Sequence, residues 1–168
     1  TKVHKFVAMP VEYMGYVPEY LDLAKKTLPA GELKGVYAGI VSWSSQSYSM
    51  PGFAPWLEKQ LVDQVPVVLL GSPPVAFSES IQQALGIDVA GSFDAASAVV
   101  VQRDQLIKPE RTLSRRIQNV PLVAQSVDSG NTVHFRYEDK NQQTADMVVT
   151  GKFGGYAWAP ALMEDGLD

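Results

Sequence analysis

Cysteine is absent from these 168 residues. That removes disulfides, thiolate metal sites and every thiol nucleophile from consideration. It is compatible with an oxidising compartment without requiring one. Histidine is scarce, with only His4 and His134 present. A serine relay or a metal site would have to recruit one of these two, with carboxylates completing any metal shell. An excess of either charge is also missing. Charged residues make up 19% of the chain and the net charge is -4, with acids and bases interspersed. There is thus no electrostatic footprint for nucleic acid and nothing to hold an anionic membrane surface. No apolar run reaches the ~18 residues of a membrane helix, and no cationic segment leads into an apolar one at the amino end. Membrane insertion is not expected. Because the chain opens on Thr1 without a methionine, the expectation is one α/β domain, residues 1–168, excised from a longer multidomain protein.

What is present is most legible between Gly35 and Gly71. Gly35 to Trp43 reads as a strand, Pro55 to Val62 as a helix and Val65 to Gly71 as a second strand, the βαβ unit of a parallel sheet. A domain of this length can bury about 70% of its unfolded-chain surface, so one self-sufficient core is expected. Ala76 to Leu85 carries apolar residues at helical spacing and is stopped by Gly86. From about Phe93 onward the texture turns to short β-branched runs, with a polar turn at Glu138 to Gln143 that marks a hairpin. The fold class read from this pattern is α/β. It is an open, mostly parallel sheet with flanking helices, flavodoxin-like or amidotransferase-like, plus a C-terminal antiparallel β extension. The opening segment Val3 to Met14 is read as helix, with Pro10 marking a break or restart and Gly15 a left-handed stop. Tyr16 to Leu23 is read as a further extended segment and a candidate parallel strand, with Pro18 at its start or on an edge.

Open parallel sheets place ligands at the carboxyl ends of their strands, which directs attention to Ser42, Trp43, Ser44 and Ser45 and to Gly71 and Ser72. Ser72 stands in the turn Gly71-Ser-Pro-Pro74, where hydrolases of this class present a nucleophile. The turn lacks the second glycine of a strained elbow, and two prolines stiffen it. It is read as structural. Ser42 to Ser45 is the nearest imitation of a phosphate or flavin loop, and Trp43 is equally suited to burial beside Trp56. The long Trp43 to Pro55 loop brings Tyr48 and Phe53 near Trp56, and these four rings could stack on sugars. Glu12, Glu19 and Asp22 form a solvated acidic rim rather than an acid pair. Lys108, Arg111, Arg115 and Arg116 are read as a solvated connection. No dinucleotide fingerprint is present, and Gly151 to Gly155 suits a tight turn or bulge. The candidate ligand-binding set is therefore Ser42, Trp43, Ser44, Ser45, Tyr48, Phe53, Trp56, Gly71 and Ser72. No catalytic residue, metal ligand or cofactor is assigned.

The collinear order of Ala8 to Gly15, Glu19 to Asp22, Tyr37 to Trp43, Val65 to Gly71 and Thr150 to Tyr156 with Pro160 resembles the middle, Rossmann-like domain of PelA-type bacterial exopolysaccharide proteins. The resemblance covers most of the chain. It implies a periplasmic, biofilm-related multidomain protein in which a glycoside hydrolase barrel and a polysaccharide deacetylase flank this domain. Those flanking domains and a polysaccharide are then the expected partners. It also implies a first strand upstream of Thr1, with the opening segment as a crossover helix. The fold is similar to glutamine amidotransferase-like domains as well, but without cysteine the thioester route to ammonia is closed. The function expected is a non-catalytic module that spaces or assists the catalytic domains. The competing expectation is a flavin- or nucleotide-binding, reductase-like enzyme domain.

Overall fold

The computed structural model describes residues 3–44, 48, 50–89, 93–102, 112–113, 120 and 122–158. Ser45, the basic residues Lys108, Arg111, Arg115 and Arg116, and Pro160 lie outside them. The βαβ unit forms as expected, with both strands starting later and the helix starting earlier than read from the sequence. Strand β1 spans Ile40–Ser44, helix α2 Phe53–Val62 and strand β2 Val67–Gly71. In β2 every second side chain is fully buried, and the near-continuous apolar run Val67 to Leu70 suits a strand covered on both faces. Helix α2 buries Phe53, Leu57, Gln60 and Leu61, the spacing of one helical stripe, and starts at Gly52 with φ +81°.

The opening segment is helical, as its spacing predicts. It is π-helical over His4–Ala8 and α-helical (α1) over Met9–Tyr13, the change falling at Pro10. A proline lacks the N–H of an i→i−4 bond, so the wider turn sits where the ladder is interrupted. Gly15 follows with φ +90°. Helix α3, Glu79–Leu85, is shorter than the run read from the sequence, because Ser78 caps it by accepting from Ile81 N at 3.3 Å. Gly86 stops it in the left-handed region at φ +62°.

Two expectations are corrected. Tyr16 to Leu23 forms no strand. Pro18 withholds a donor, and Asp22 instead closes a turn by accepting from Lys25 and Lys26 N at 2.9 Å. The sheet is also mixed rather than mostly parallel. Among the described residues it has seven strands, adding β4 (Val99–Gln102), β5 (Thr112–Leu113), β7 (Thr132–Glu138), β8 (Thr144–Gly151) and β9 (Gly154–Ala157), in the order β1-β2-β9-β8-β7-β4-β5. Among the described strands only β1–β2 and β2–β9 pair in parallel, and the other ladders of this sheet are antiparallel. The antiparallel extension is therefore not appended beyond the parallel part but joins it through its last strand.

The glycines of the Gly151 to Gly155 turn make that junction possible. A Cβ on Gly154, at φ +114°, would stand 2.3 Å from Val67 O, and one on Gly155 would stand 2.9 Å from Val149 O. Only bare backbone fits between β2 and β8 there. A second sheet, β3 (Ile87–Val89) antiparallel to β6 (Ala124–Ser126), packs over the first. The main core gathers Leu57 and Leu61 of α2, Val67 and Leu69 of β2, Ile81 and Leu85 of α3, Ala124, Val149, Tyr156 and Trp158. A smaller cluster unites Val100, Tyr137, Ala145 and Met147. Among the described residues no helix is long and apolar enough to cross a membrane. The whole is α/β with few helices, short of a doubly wound flavodoxin pattern.

Candidate functional site

The carboxyl ends of β1 and β2 meet as the sequence suggests, and the backbone there is stitched together. Gly71 adopts φ +100° and turns the chain so that Ser72 N donates to Ser44 O at 2.8 Å. Ser44 Oγ returns a bond to Ser72 O at 2.7 Å. From the loop between β1 and α2, Tyr48 N donates to Pro74 O at 2.5 Å and its phenol donates to Trp43 O at 2.5 Å. Burial pushes the Tyr48 phenol up, against the opposing pull of the Ser42 and Ser44 hydroxyls beside it. Ser42 Oγ is buried without a well-formed hydrogen bond. The strand ends thus carry hydroxyls, amides and rings. At neutral pH such a set can donate and accept hydrogen bonds, but it supplies no fixed charge.

The four rings of the loop have separate duties. Phe53 is 4% exposed, met edge-on by Tyr48 at 5.2 Å and stacked on Trp56 at 5.8 Å, and so belongs to the core. Trp56 is half-buried and ties its indole N–H to Pro29 O at 3.1 Å. Trp43 does not lie beside Trp56. It stacks on Phe6 of the opening helix, with ring centres 6.0 Å apart and planes 6° from parallel. Trp43, Tyr48 and Trp56 are all half-buried, and of these Trp56 already has its indole N–H engaged by Pro29. The Phe6 contact had one signal in the sequence, an aromatic at helical spacing in a segment read as helix, but nothing there named its partner.

The remaining candidates are engaged elsewhere. His4 Nδ1 pairs with the Tyr20 hydroxyl at 2.8 Å, and His134 Nε2 with Thr150 Oγ1 at 2.8 Å. Glu19 accepts from the Tyr37 phenol at 2.7 Å, and Asp22 pairs with Lys25 at 3.1 Å, so the acidic rim is dispersed over local contacts. The Lys25 ammonium and the Ala24 amide hold the Asp22 carboxyl below its ordinary value, and the Glu19 carboxylate pushes the Tyr37 phenol up. Among the described residues no three His, Asp or Glu side chains are placed to hold a metal ion.

Sequence reasoning passed over the most deeply buried charge among the described residues. Asp146 is fully buried in β8. Its Oδ1 pairs with Arg136 Nε at 2.5 Å, and its Oδ2 accepts from Ser126 N at 2.7 Å. Arg136 stands directly across from Asp146 just after a pair of register shifts in the β7–β8 ladder, the irregularity that commonly re-aims a side chain. The carboxylate therefore clamps the two sheets together. The Tyr156 phenol senses both charges. Burial first, and then Asp146, push it up, while Arg136 pulls the other way. An aspartate alternating with apolar residues is an ordinary exposed-face pattern, so no signal in the chain marked it.

No protein-family model matches this chain, and no curated protein does. Among solved structures it is similar to the exo-β-1,4-mannosidase Op5Man5 from Opitutaceae bacterium strain TAV5. The TM-score is 0.46 and the identity 12% over 79% of this chain, which spans 22% of the mannosidase's length. That neighbour is a carbohydrate-processing enzyme, but a likeness this slight carries no argument about the activity of the present chain.

Proposed function

We propose that this chain is a non-catalytic module of a larger carbohydrate-processing protein, of the exopolysaccharide type that its motif order resembles. It spaces the hydrolase and deacetylase domains of a periplasmic parent and contributes glycan contact through Trp43 and Tyr48. One observation carries the non-catalytic part. At the strand ends, where an α/β sheet usually does chemistry, the described groups are hydrogen-bonded to one another, Ser44 to Ser72 and Tyr48 to Trp43 and Pro74. Groups already bonded into the frame must break those bonds before they can bind or activate a substrate, which costs about 1 kcal/mol each.

Titration with polysaccharide, followed by tryptophan fluorescence, tests the glycan part. Trp158 is fully buried and Trp56 is tied to Pro29, so a response should come from Trp43 and disappear in Trp43→Phe. A full response in Trp43→Phe would remove glycan contact at this site and leave the spacing role alone.

A further inference from the structure

Residues 14–39 join α1 to β1 without a helix or strand of their own, holding only the isolated bridge between Lys34 and Tyr37. Loops longer than about 12–15 residues are uncommon in a compact domain and usually serve as lids or binding segments. This one is folded back on the molecule. Leu33 is buried, and Leu23 and Leu28 pack against the main core. At its base the Tyr37 phenol donates to Glu19 Oε2 at 2.7 Å, which ties the two ends of the stretch together. From residues 22–36, among the described residues, a single hydrogen bond leaves the loop. It is the one that Trp56 Nε1 of helix α2 donates to Pro29 O at 3.1 Å.

Two observations mark this stretch as a moving part. Gly31 and Gly35 stand at φ +102° and +76°, and nothing lies within 4 Å of where a Cβ on either would be, so no neighbour holds these joints. The other observation is on α2. Gln60 follows Trp56 by one turn on the same side of the helix, and it is 1% exposed with its Oε1 unpartnered. A buried carbonyl without a donor favours any state in which water can reach it.

We propose that residues 22–36 are a lid over the Trp56 and Gln60 side of α2, latched by the Trp56–Pro29 bond, with Gly31 and Gly35 as its joints, and that it opens while the sheet stays folded. Burial of Leu23, Leu28 and Leu33 holds it shut. The stranded Gln60 carbonyl works against them. Opening breaks one hydrogen bond, lifts Leu28 from the core and gives Gln60 access to water, so it costs far less than unfolding the sheet. What it unmasks is an indole N–H and a side-chain amide, a neutral pair that can donate and accept hydrogen bonds. The polar groups of this side of α2 are thus kept covered by the chain itself.

Hydrogen exchange of the Trp56 indole N–H, followed by NMR over a urea series, tests this. The indole should exchange well before the β2 amides and with a shallower urea dependence, because a lid exposes less surface than global unfolding. Leu28→Ala removes an anchor and should speed indole exchange about tenfold. Gln60→Met puts an apolar side chain of similar length in place of the stranded amide and should slow it about fivefold or more. An indole that exchanges together with the β2 amides, or as fast as a free indole, overturns the proposal. So does a Gln60→Met chain whose indole exchange is unchanged or faster, or a Leu28→Ala chain whose indole exchange is unchanged. The lid stands apart from the glycan reading, since its test uses no glycan and the closed lid leaves Trp43 as the responding indole in the titration.

Discussion

Asp146 sets the stakes at the scale of single residues. A buried carboxylate is tolerable because Arg136 and the Ser126 amide share its charge, and breaking such a pair from one side costs more than the pair contributes. Arg136→Met is therefore expected to destabilise the fold by roughly 3 kcal/mol, since it strands the aspartate, whereas Arg136→Met with Asp146→Leu should recover much of that loss. Chemical denaturation of the two variants checks the order, and equal losses would refute it. Asp139 works differently. It is buried at a turn and accepts from the amides of Asp94, Asn141 and Gln143. These bonds, the one from Asp94 foremost, hold its carboxyl below the ordinary value. Asp139→Asn should lower the melting temperature at pH 7, and the difference should shrink only as pH falls below about 4 and through the depressed folded-state value, because protonation removes the same interaction from the native protein.

Elements obey their local signals more faithfully than they obey the expected sheet order. Helix α3 stops at Gly86 and α2 buries one stripe, as spacing alone foretells. Ser78 caps α3, so Ser78→Ala should cost about 1 kcal/mol by thermal melting. The decisive element is β9, whose place between β2 and β8 depends on glycine. A Cβ at position 154 would meet Val67 O and sit at a strained φ. Gly154→Ala should destabilise by about 1–3 kcal/mol and loosen protection of the β2 and β9 amides together in hydrogen exchange. A loss confined to the β8–β9 turn would show that the close approach to Val67 is unimportant. In sequence this glycine reads only as a turn residue, because the strand it must approach lies 87 residues away.

Across the whole molecule, the described carboxylates with resolved shifts all lean one way. Asp22, Asp94 and Asp139 each have a folded-state pKa below the ordinary value, from Lys25, Lys140 and the Asp94 amide respectively as the foremost causes. A depressed pKa contributes stability that is complete above the unfolded value of about 4 and is lost as pH falls through the folded one. Thermal stability should therefore be flat from pH 7 to about 5 and then fall steadily toward pH 2. A melting temperature that rises in acid would contradict the sign. At the same scale, the self-bonded strand ends give one physical reading. The usual reactive face of the sheet is spent on its own hydrogen bonds.

Composition and spacing alone determined the α/β class, the βαβ core, the helical opening segment, the left-handed glycines and the removal of thiol chemistry. These depend on local periodicity and on which atoms the side chains contain. Only the tertiary structure decided that the sheet is mixed, that Tyr16 to Leu23 is no strand, that Phe53 is core and Trp43 meets Phe6, and that Asp146 is a buried clamp. Each of those outcomes is a contact between segments far apart in the chain. Which partner wins is set by packing, by close backbone approach and by the cost of leaving a polar group unpaired, and no short window of residues contains that information.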